Sequence, residues 1–368
     1  MNRLLVSLGI VTLLFVSPPS LEQVDHPLGQ TDHCSLEQVV HSLGQVDHSL
    51  GQAADPFLHP VPVIFDTDFG PDYDDVGALA MLHALADSGE CTILATVASN
   101  GHPFAAAALS VLNTYFHRGE IPIGVVRGRA VNIPAGQRWD SVIVADYPHR
   151  IRGNADAEDA VGLYRRLLAA APDSSVIIVT VGFLTNMSNL LLSGPDALSP
   201  LGGRALVARK VRRLVSMAGR FGEGGGGFRE FNVMMDVPAS VNTFENWPGP
   251  IVFSGFEIGS RIFTGLPVAG SSVMHSPVKD VFRRCIPMDP HDQKGRMSWD
   301  ETAVLVAVRG SARYFDLVKG RMVCHPDGSN GWDPNGNRDA YLVLRASPSP
   351  EELADVINGL MMHRPLAK

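Results

Sequence analysis

The chain has 368 residues, 45% of them hydrophobic and only 18% charged, which is ample for a packed core and excludes a wholly disordered chain. Lys and Arg number 30 against 38 Asp and Glu, for a formal net charge of −8. No long basic run occurs, which argues against a nucleic-acid binder, because phosphates demand a cationic face. The four cysteines, Cys34, Cys91, Cys285 and Cys324, show no CxxC spacing, so neither a disulfide framework nor a zinc site is expected.

Residues 1–19 read as a signal peptide. Met1-Asn2-Arg3 gives a positive start, Leu4 to Val16 is an apolar run, and Ser17-Pro18-Pro19 breaks any helix. The run falls short of the roughly 20 residues that span a bilayer. The expectation is therefore a secreted or periplasmic protein, with an uncleaved N-terminal membrane anchor as the alternative. Residues 20–59 form a low-complexity spacer, in which Ser20-Leu21-Glu22-Gln23-Val24 recurs as Ser35-Leu36-Glu37-Gln38-Val39. The repeated unit Val-Asp-His-Pro-Leu-Gly-Gln carries one His each time, at His26, His41 and His48, and His33 lies between. A metal site would need these His residues to converge. A solvated spacer is the plainer reading, since Gly and Pro interrupt any period and so short a unit buries no core.

The folded unit is expected over residues 60–368. Residues 61–65 read as a strand, 76–85 as a helix, 92–98 as a strand and 104–116 as a helix. Strands follow at 121–126, 176–181, 211–217 and 250–254, with a further helix at 157–171. This alternation predicts an α/β fold: one domain with a mainly parallel central sheet flanked by helices. Such sheets bind ligands beyond the carboxyl ends of their strands, so the active site is sought there.

Those strand ends are acidic and polar. Asp66-Thr67-Asp68-Phe69-Gly70-Pro71-Asp72-Tyr73-Asp74-Asp75 places five carboxylates in ten residues, which repel one another unless a cation sits among them. Hard oxygen donors suit Ca²⁺ or Mg²⁺ better than zinc, although an acidic surface turn has the same composition. An EF-hand fits poorly, because Gly70 and Gly77 occupy the fifth and twelfth positions of the loop. The other strand ends add Ser99-Asn100-Gly101, Val181-Gly182 and Met217-Ala218-Gly219.

The acidic stretch resembles the metal-binding signature of the inosine-uridine-preferring nucleoside hydrolases, in its longer DxDxGxDxDD form. Val181-Gly182-Phe183-Leu184-Thr185-Asn186 is similar to the family's second strand-end motif. Ser216-Met217-Ala218-Gly219, then Arg229-Glu230-Phe231-Asn232 and Asp236, resembles its MGG…AEFN…D segment. Trp299-Asp300 with Ala303-Val304 resembles its late ligand motif. The matches follow the family's order over roughly residues 62–310.

The resemblance implies Ca²⁺-dependent hydrolysis of the N-glycosidic bond of ribonucleosides, with no organic cofactor. Asp68, Asp75 and Asp300 would ligate the ion, joined by the Val181 carbonyl. Asp74 would be the general base towards a metal-activated water. Asn100, Glu230 and Asn232 would hold ribose hydroxyls, and Met217 would line the sugar pocket. Asp72 competes with Asp74 for the base role, because the loop is two residues longer than in the short form. Trp299 stands where many relatives carry His. It resembles the indole of purine-preferring members that stacks on the base, the plainer alternative being a core aromatic. Trp139, Tyr147 and Trp332 are further stacking candidates, and His149, Arg150 and Arg152 fall in a segment that often touches the base. Glu223 to Phe228, with four consecutive glycines, reads as a mobile lid or a simple turn. Asp333, Asn335, Asn337 and Asp339 alternate like a cation loop but read more simply as a turn.

The partner expected is a small nucleoside, with no nucleic acid, and a homo-oligomer is compatible with the family. Two other functions are compatible with parts of this pattern. A noncatalytic Ca²⁺-dependent nucleoside or sugar binder would keep the fold without turnover. A haloacid-dehalogenase-type phosphatase would use Asp66 as nucleophile, Asp68 as acid and Mg²⁺, but it leaves Glu230-Phe231-Asn232 unexplained.

Overall fold

The computed structural model describes residues 60–365 apart from Gly224, so the expected leader and repeats lie outside the described residues. From β1 (Val61–Thr67) the chain steps outward in one direction through β2 (Cys91–Ala98), β3 (Ile123–Val125) and β4 (Glu158–Asp159). It then returns to the other side of β1 with β5 (Val176–Thr180), β6 (Val211–Met217) and β7 (Ile251–Ser254). A small antiparallel ribbon, β8 (Phe263–Thr264) with β9 (Arg296–Met297), stands apart from the sheet. The chain ends with β10 (Phe315–Cys324), β11 (Asn330–Asp333) and β12 (Asp339–Leu344). The sheet order is β11-β10-β12-β7-β6-β5-β1-β2-β3-β4, and only β10 pairs antiparallel with its neighbours.

The central strands β1, β5 and β7 are buried on both faces over most of their length, which is why their sequences are apolar runs rather than alternations. Val63 and Phe65 of β1 face one core, together with Ile177, Val179 and Val215. Ile64 faces the other, with Ile178, Leu214 and Phe253. The helix Asp74–Asp87 is buried on every side from Asp74 to Leu85, as its near-uniform Val-Gly-Ala-Leu-Ala-Met composition requires. It packs against the helix Trp299–Arg309, and Gly77 allows the close approach: a Cβ there would lie 2.4 Å from Glu301 Oε1.

The expected strands and helices all form, most with ends shifted by one to three residues. The three C-terminal strands were not foreseen, because the pattern of residues 315–344 mixes polar and apolar positions. Asp333 ends β11 and Asp339 begins β12, with Asn335 and Asn337 in the turn between them, where the Asn335 N–H donates to Asp333 Oδ1 at 2.9 Å, so the turn reading holds. The described cysteines, Cys91, Cys285 and Cys324, are free and buried. Among the described residues no helix is long and apolar enough to cross a membrane.

Candidate active site

The strand order reverses at β1, between β5 on one side and β2 on the other, and a crevice opens where the chain departs in opposite directions. Backbone bonds tie the strand ends together here. The Val181 N–H donates to the Asp66 carbonyl, and the Ser99 N–H to the Thr67 carbonyl, both at 2.8 Å. Gly182 lets the ends of β1 and β5 touch, because a Cβ there would sit 2.4 Å from the Asp68 nitrogen.

A cleft of about 390 Å³, its open mouth included, lies over this point. Its walls are Asp68, Asp72, Asp74, Asp75, Val181, Met217, Glu230, Phe231, Asn232, Phe256, Trp299 and Asp300. Residues more than two hundred positions apart thus meet. Asp74 and Asp75 open one helix, Asp300 and Glu301 open its packing partner, and both N-terminal dipoles favour negative charge at the same place. Oxygens of Asp74, Asp75 and Asp300 all lie within 4.8 Å of one another. At an effective dielectric of 20, each such pair of ionised groups repels by about 3 kcal/mol.

Burial and this mutual repulsion push the carboxyls of Asp68, Asp75 and Asp300 well above their usual range. Asp68 Oδ2 and Asp75 Oδ2 are buried with no hydrogen-bond partner, while Asp75 Oδ1 accepts from the Thr67 hydroxyl. Buried carboxyl oxygens gathered this closely, two of them without a hydrogen-bond partner, are what a hard divalent cation requires, so the donor set fits Ca²⁺ or Mg²⁺. Asp74 differs from the other three. Burial raises it to about 6, and Arg296 opposes the rise, with Nε and Nη2 donating to Oδ1 at 3.1 and 3.0 Å.

Opposite this cluster, Glu230 caps the helix Phe231–Met235. Its carboxylate accepts from the N–H groups of Asn232, Val233 and Gly219, at 3.0 to 3.2 Å, yet burial still lifts its pKa to about 7. Asn232 Nδ2 donates to the carbonyls of Val181 and Met217, both at 3.1 Å, so Asn232 links the ends of β5 and β6. Trp299 lies against Phe256, with ring centroids 5.3 Å apart, and its Nε1 donates to the Phe256 carbonyl at 2.9 Å.

Of the residues selected from sequence, Asp68, Asp74, Asp75, Val181, Met217, Glu230, Asn232, Trp299 and Asp300 all reach the cleft. Asn100 sits behind it. Its amide nitrogen donates to the carbonyls of Asp68 and Ile133 at 3.0 and 2.8 Å, and its oxygen accepts from the N–H groups of His102 and Ile133. A side chain so occupied braces the acidic loop and has nothing left for a ribose hydroxyl. Trp139 is wholly buried, Tyr147 bonds to Asp280, and Trp332 packs on Phe221, so none of these three serves the cleft. Asp66 is also wholly buried, with Oδ2 accepting from Tyr164 and Asn186 at 2.9 Å, and it cannot act as a phosphatase nucleophile. Arg296 and Phe256 were not anticipated. Arg296 lies in the Gln-Lys-Gly-Arg stretch before Trp299, and no local pattern marks it.

A mainly parallel α/β sheet thus carries at its switch point a cluster of buried carboxylates that could hold a divalent cation. The family model described as "inosine-uridine preferring nucleoside hydrolase" matches residues 63–341, and the chain belongs to that family and is a nucleoside hydrolase. Among solved structures, the plant nucleoside hydrolase PpNRh1 aligns with a TM-score of 0.62 and 17% identity, over 82% of this chain and 99% of its own. The inosine-uridine preferring nucleoside hydrolase from Bacillus anthracis aligns with a TM-score of 0.60 and 15% identity over the same shares. The purine-preferring ribonucleoside hydrolase from Gardnerella vaginalis likewise gives 0.60, 15%, 82% and 99%. At these identities the structures speak to the fold alone. No curated protein matches the chain in sequence.

Proposed function

We propose that the protein hydrolyses the N-glycosidic bond of ribonucleosides to free base and ribose, with a resident calcium ion and a preference for purines. One observation carries this reading: buried acids from both ends of the domain, Asp68, Asp74 and Asp75 on one side and Asp300 on the other, line one cleft, Oδ2 of Asp68 and of Asp75 without a partner, and the other wall of that cleft is Glu230, Asn232 and an aromatic pair. Asp68, Asp75 and Asp300, with the Val181 carbonyl, would hold the ion. When bound, calcium supplies the Lewis acidity that orients sugar hydroxyls and lowers the pKa of a water.

The remaining chemistry belongs to the side chains. Asp74 Oδ1 is held by Arg296, while Oδ2 accepts one long bond, 3.4 Å, from the Asp300 N–H and keeps its second lone pair for the proton of the attacking water. Breaking the C1′–N bond builds positive charge on the ribose, and the surrounding carboxylates stabilise it without having to reorient. Glu230 and Asn232 meet the ribose hydroxyls, Met217 packs beside the sugar, and Asn100 acts only by fixing the Asp68 carbonyl. Trp299 and Phe256 offer the leaving base an aromatic wall, and base stacking contributes about 1–3 kcal/mol per base in nucleic-acid binding.

The direct test is a panel of ribonucleosides with calcium or with chelator, read by release of free base and reducing sugar. Release that persists after complete chelation would contradict the calcium assignment. In the same panel, Trp299→Ala should lower kcat/KM for inosine and guanosine by about tenfold or more, the equivalent of the lower part of that stacking range, and for uridine much less. Equal losses on purines and uridine would remove the stacking role.

Stability should carry a metal signature that depends on pH. The folded-state pKa values of Asp68, Asp75 and Asp300 lie above the ordinary 3.8, and those of Asp66 and Glu230 reach about 7. The folded metal-free chain therefore binds more protons than the unfolded one between about pH 4 and 7, and it loses stability as pH rises through that window. Calcium binds the deprotonated groups and stabilises the fold in proportion to its occupancy. The Tm gained on adding calcium should therefore grow from pH 5 to pH 8 in a thermal-shift series. A gain that is largest at pH 5 would contradict the assignment.

A further inference from the structure

Arg296, the partner of Asp74, has surroundings unusual for a side chain beside a divalent-cation site. It is delivered by β9 and is buried except for 6% of its surface. Gly295, at φ +110°, makes the turn into that strand, since a Cβ there would stand 2.5 Å from the Thr264 carbonyl oxygen. The guanidinium is spent on three carboxylates. Nε and Nη2 hold Asp74 Oδ1, Nη2 also bonds to Asp72, and Nη1 lies 3.7 Å from Asp292, which accepts from the Tyr73 hydroxyl at 2.5 Å. Its flat face rests over Tyr73 at 4.9 Å and over Trp299 at 5.1 Å.

We infer that Arg296 is a positioning residue: an internal cation that withholds Asp72 and Oδ1 of Asp74 from the metal and anchors Trp299 in the cleft. This rests on the reading of Asp74 as the base. An acidic cluster that also offered Asp72 and both oxygens of Asp74 would bind a divalent ion more tightly, and would draw it away from Asp68, Asp75 and Asp300. A base must keep a lone pair aimed at its proton, and Oδ2 of Asp74, which accepts a single long bond of 3.4 Å from the Asp300 N–H, retains one. The planar fork achieves this by directing two N–H groups, Nε and Nη2, onto one oxygen in a fixed geometry, which the single point charge of lysine cannot do. Some metal affinity is thereby given up in favour of geometry.

The test compares Arg296→Met and Arg296→Lys with the wild-type chain, by calcium titration calorimetry and by ribonucleoside kinetics. Arg296→Met should bind calcium about tenfold more tightly, or take a second ion, because a like charge near the ion has been removed. Its kcat should fall about a hundredfold, the scale of a 1 Å misplacement, with KM little changed. Arg296→Lys, which keeps the charge, should retain wild-type calcium affinity and still lose kcat. Calcium affinity in Arg296→Met that is unchanged or weaker overturns the inference, as does wild-type kcat in Arg296→Lys. Should the methionine variant fail to melt cooperatively, the lysine variant decides alone, by kcat at equal calcium affinity. If the wild-type chain hydrolysed no ribonucleoside, the functional reading would fail while the calcium arm still decided what Arg296 does to the ion.

Discussion

Asp74→Asn is expected to lower kcat for ribonucleoside hydrolysis by about 10²–10⁴-fold, the range by which a positioned general base accelerates proton transfer. Asparagine keeps the shape of the side chain and an oxygen for Arg296, so the Nε and Nη2 contacts at 3.1 and 3.0 Å survive. What disappears is the lone pair on Oδ2, replaced by an amide that donates where an acceptor is needed. The calcium-binding groups are untouched in this scheme, so the calcium-induced gain in Tm should remain. Rates, calorimetry and melting of the one variant check all three statements. A kcat within a factor of a few of wild type, with calcium bound, would move the base role to another carboxylate, Asp72 first.

The second large effect concerns Asp300, where activity and stability should move in opposite directions. Asp300 is 4% exposed, and its carboxyl is held well above its usual range by burial first and then by the charges of Asp74, Asp75, Glu301 and Asp68. Asp300→Asn removes one member of the proposed ion set. It should abolish measurable turnover together with the calcium-dependent rise in Tm. Without calcium at pH 8 the same change should raise stability by about 1–2 kcal/mol, because a strained acidic site is relieved. The helix Trp299–Arg309 loses an acid from its first turn, which costs only about 0.3–1 kcal/mol and does not cancel that gain. Chelated samples of both proteins in a denaturant titration test the sign. A variant less stable than wild type under chelation would show that Asp300 is held by contacts rather than strained by repulsion.

These expectations draw on features of unequal visibility in the sequence. The strand runs at 61–65, 176–181 and 211–217 were legible because burial on both faces demands unbroken apolar residues, and that demand is local. Asp74 and Asp75 were legible because carboxylates clustered this densely need either a cation or solvent. The later segments were placed by their likeness to a family, and no rule of spacing brought Asp300 to Asp75. Asn100 shows the opposite case. Its residue type and its position after β2 suited a ribose contact, yet the backbone of residues 68–69 and 133 passes close enough to consume all of its hydrogen-bonding capacity.

By itself, the sequence determined the alternation of strand and helix, the acidic loop after the first strand and the kind of cation such oxygens accept, because each follows from residues close together in the chain. Tertiary structure alone decided that two helix N-termini meet at a glycine, that Arg296 enters the acidic cluster from a two-stranded ribbon outside the main sheet, and that Phe256 stands beside Trp299. The reason is physical. Charge and apolar burial act on neighbours and leave a local pattern, whereas the distance between residues 74 and 296 depends on how the intervening two hundred residues pack.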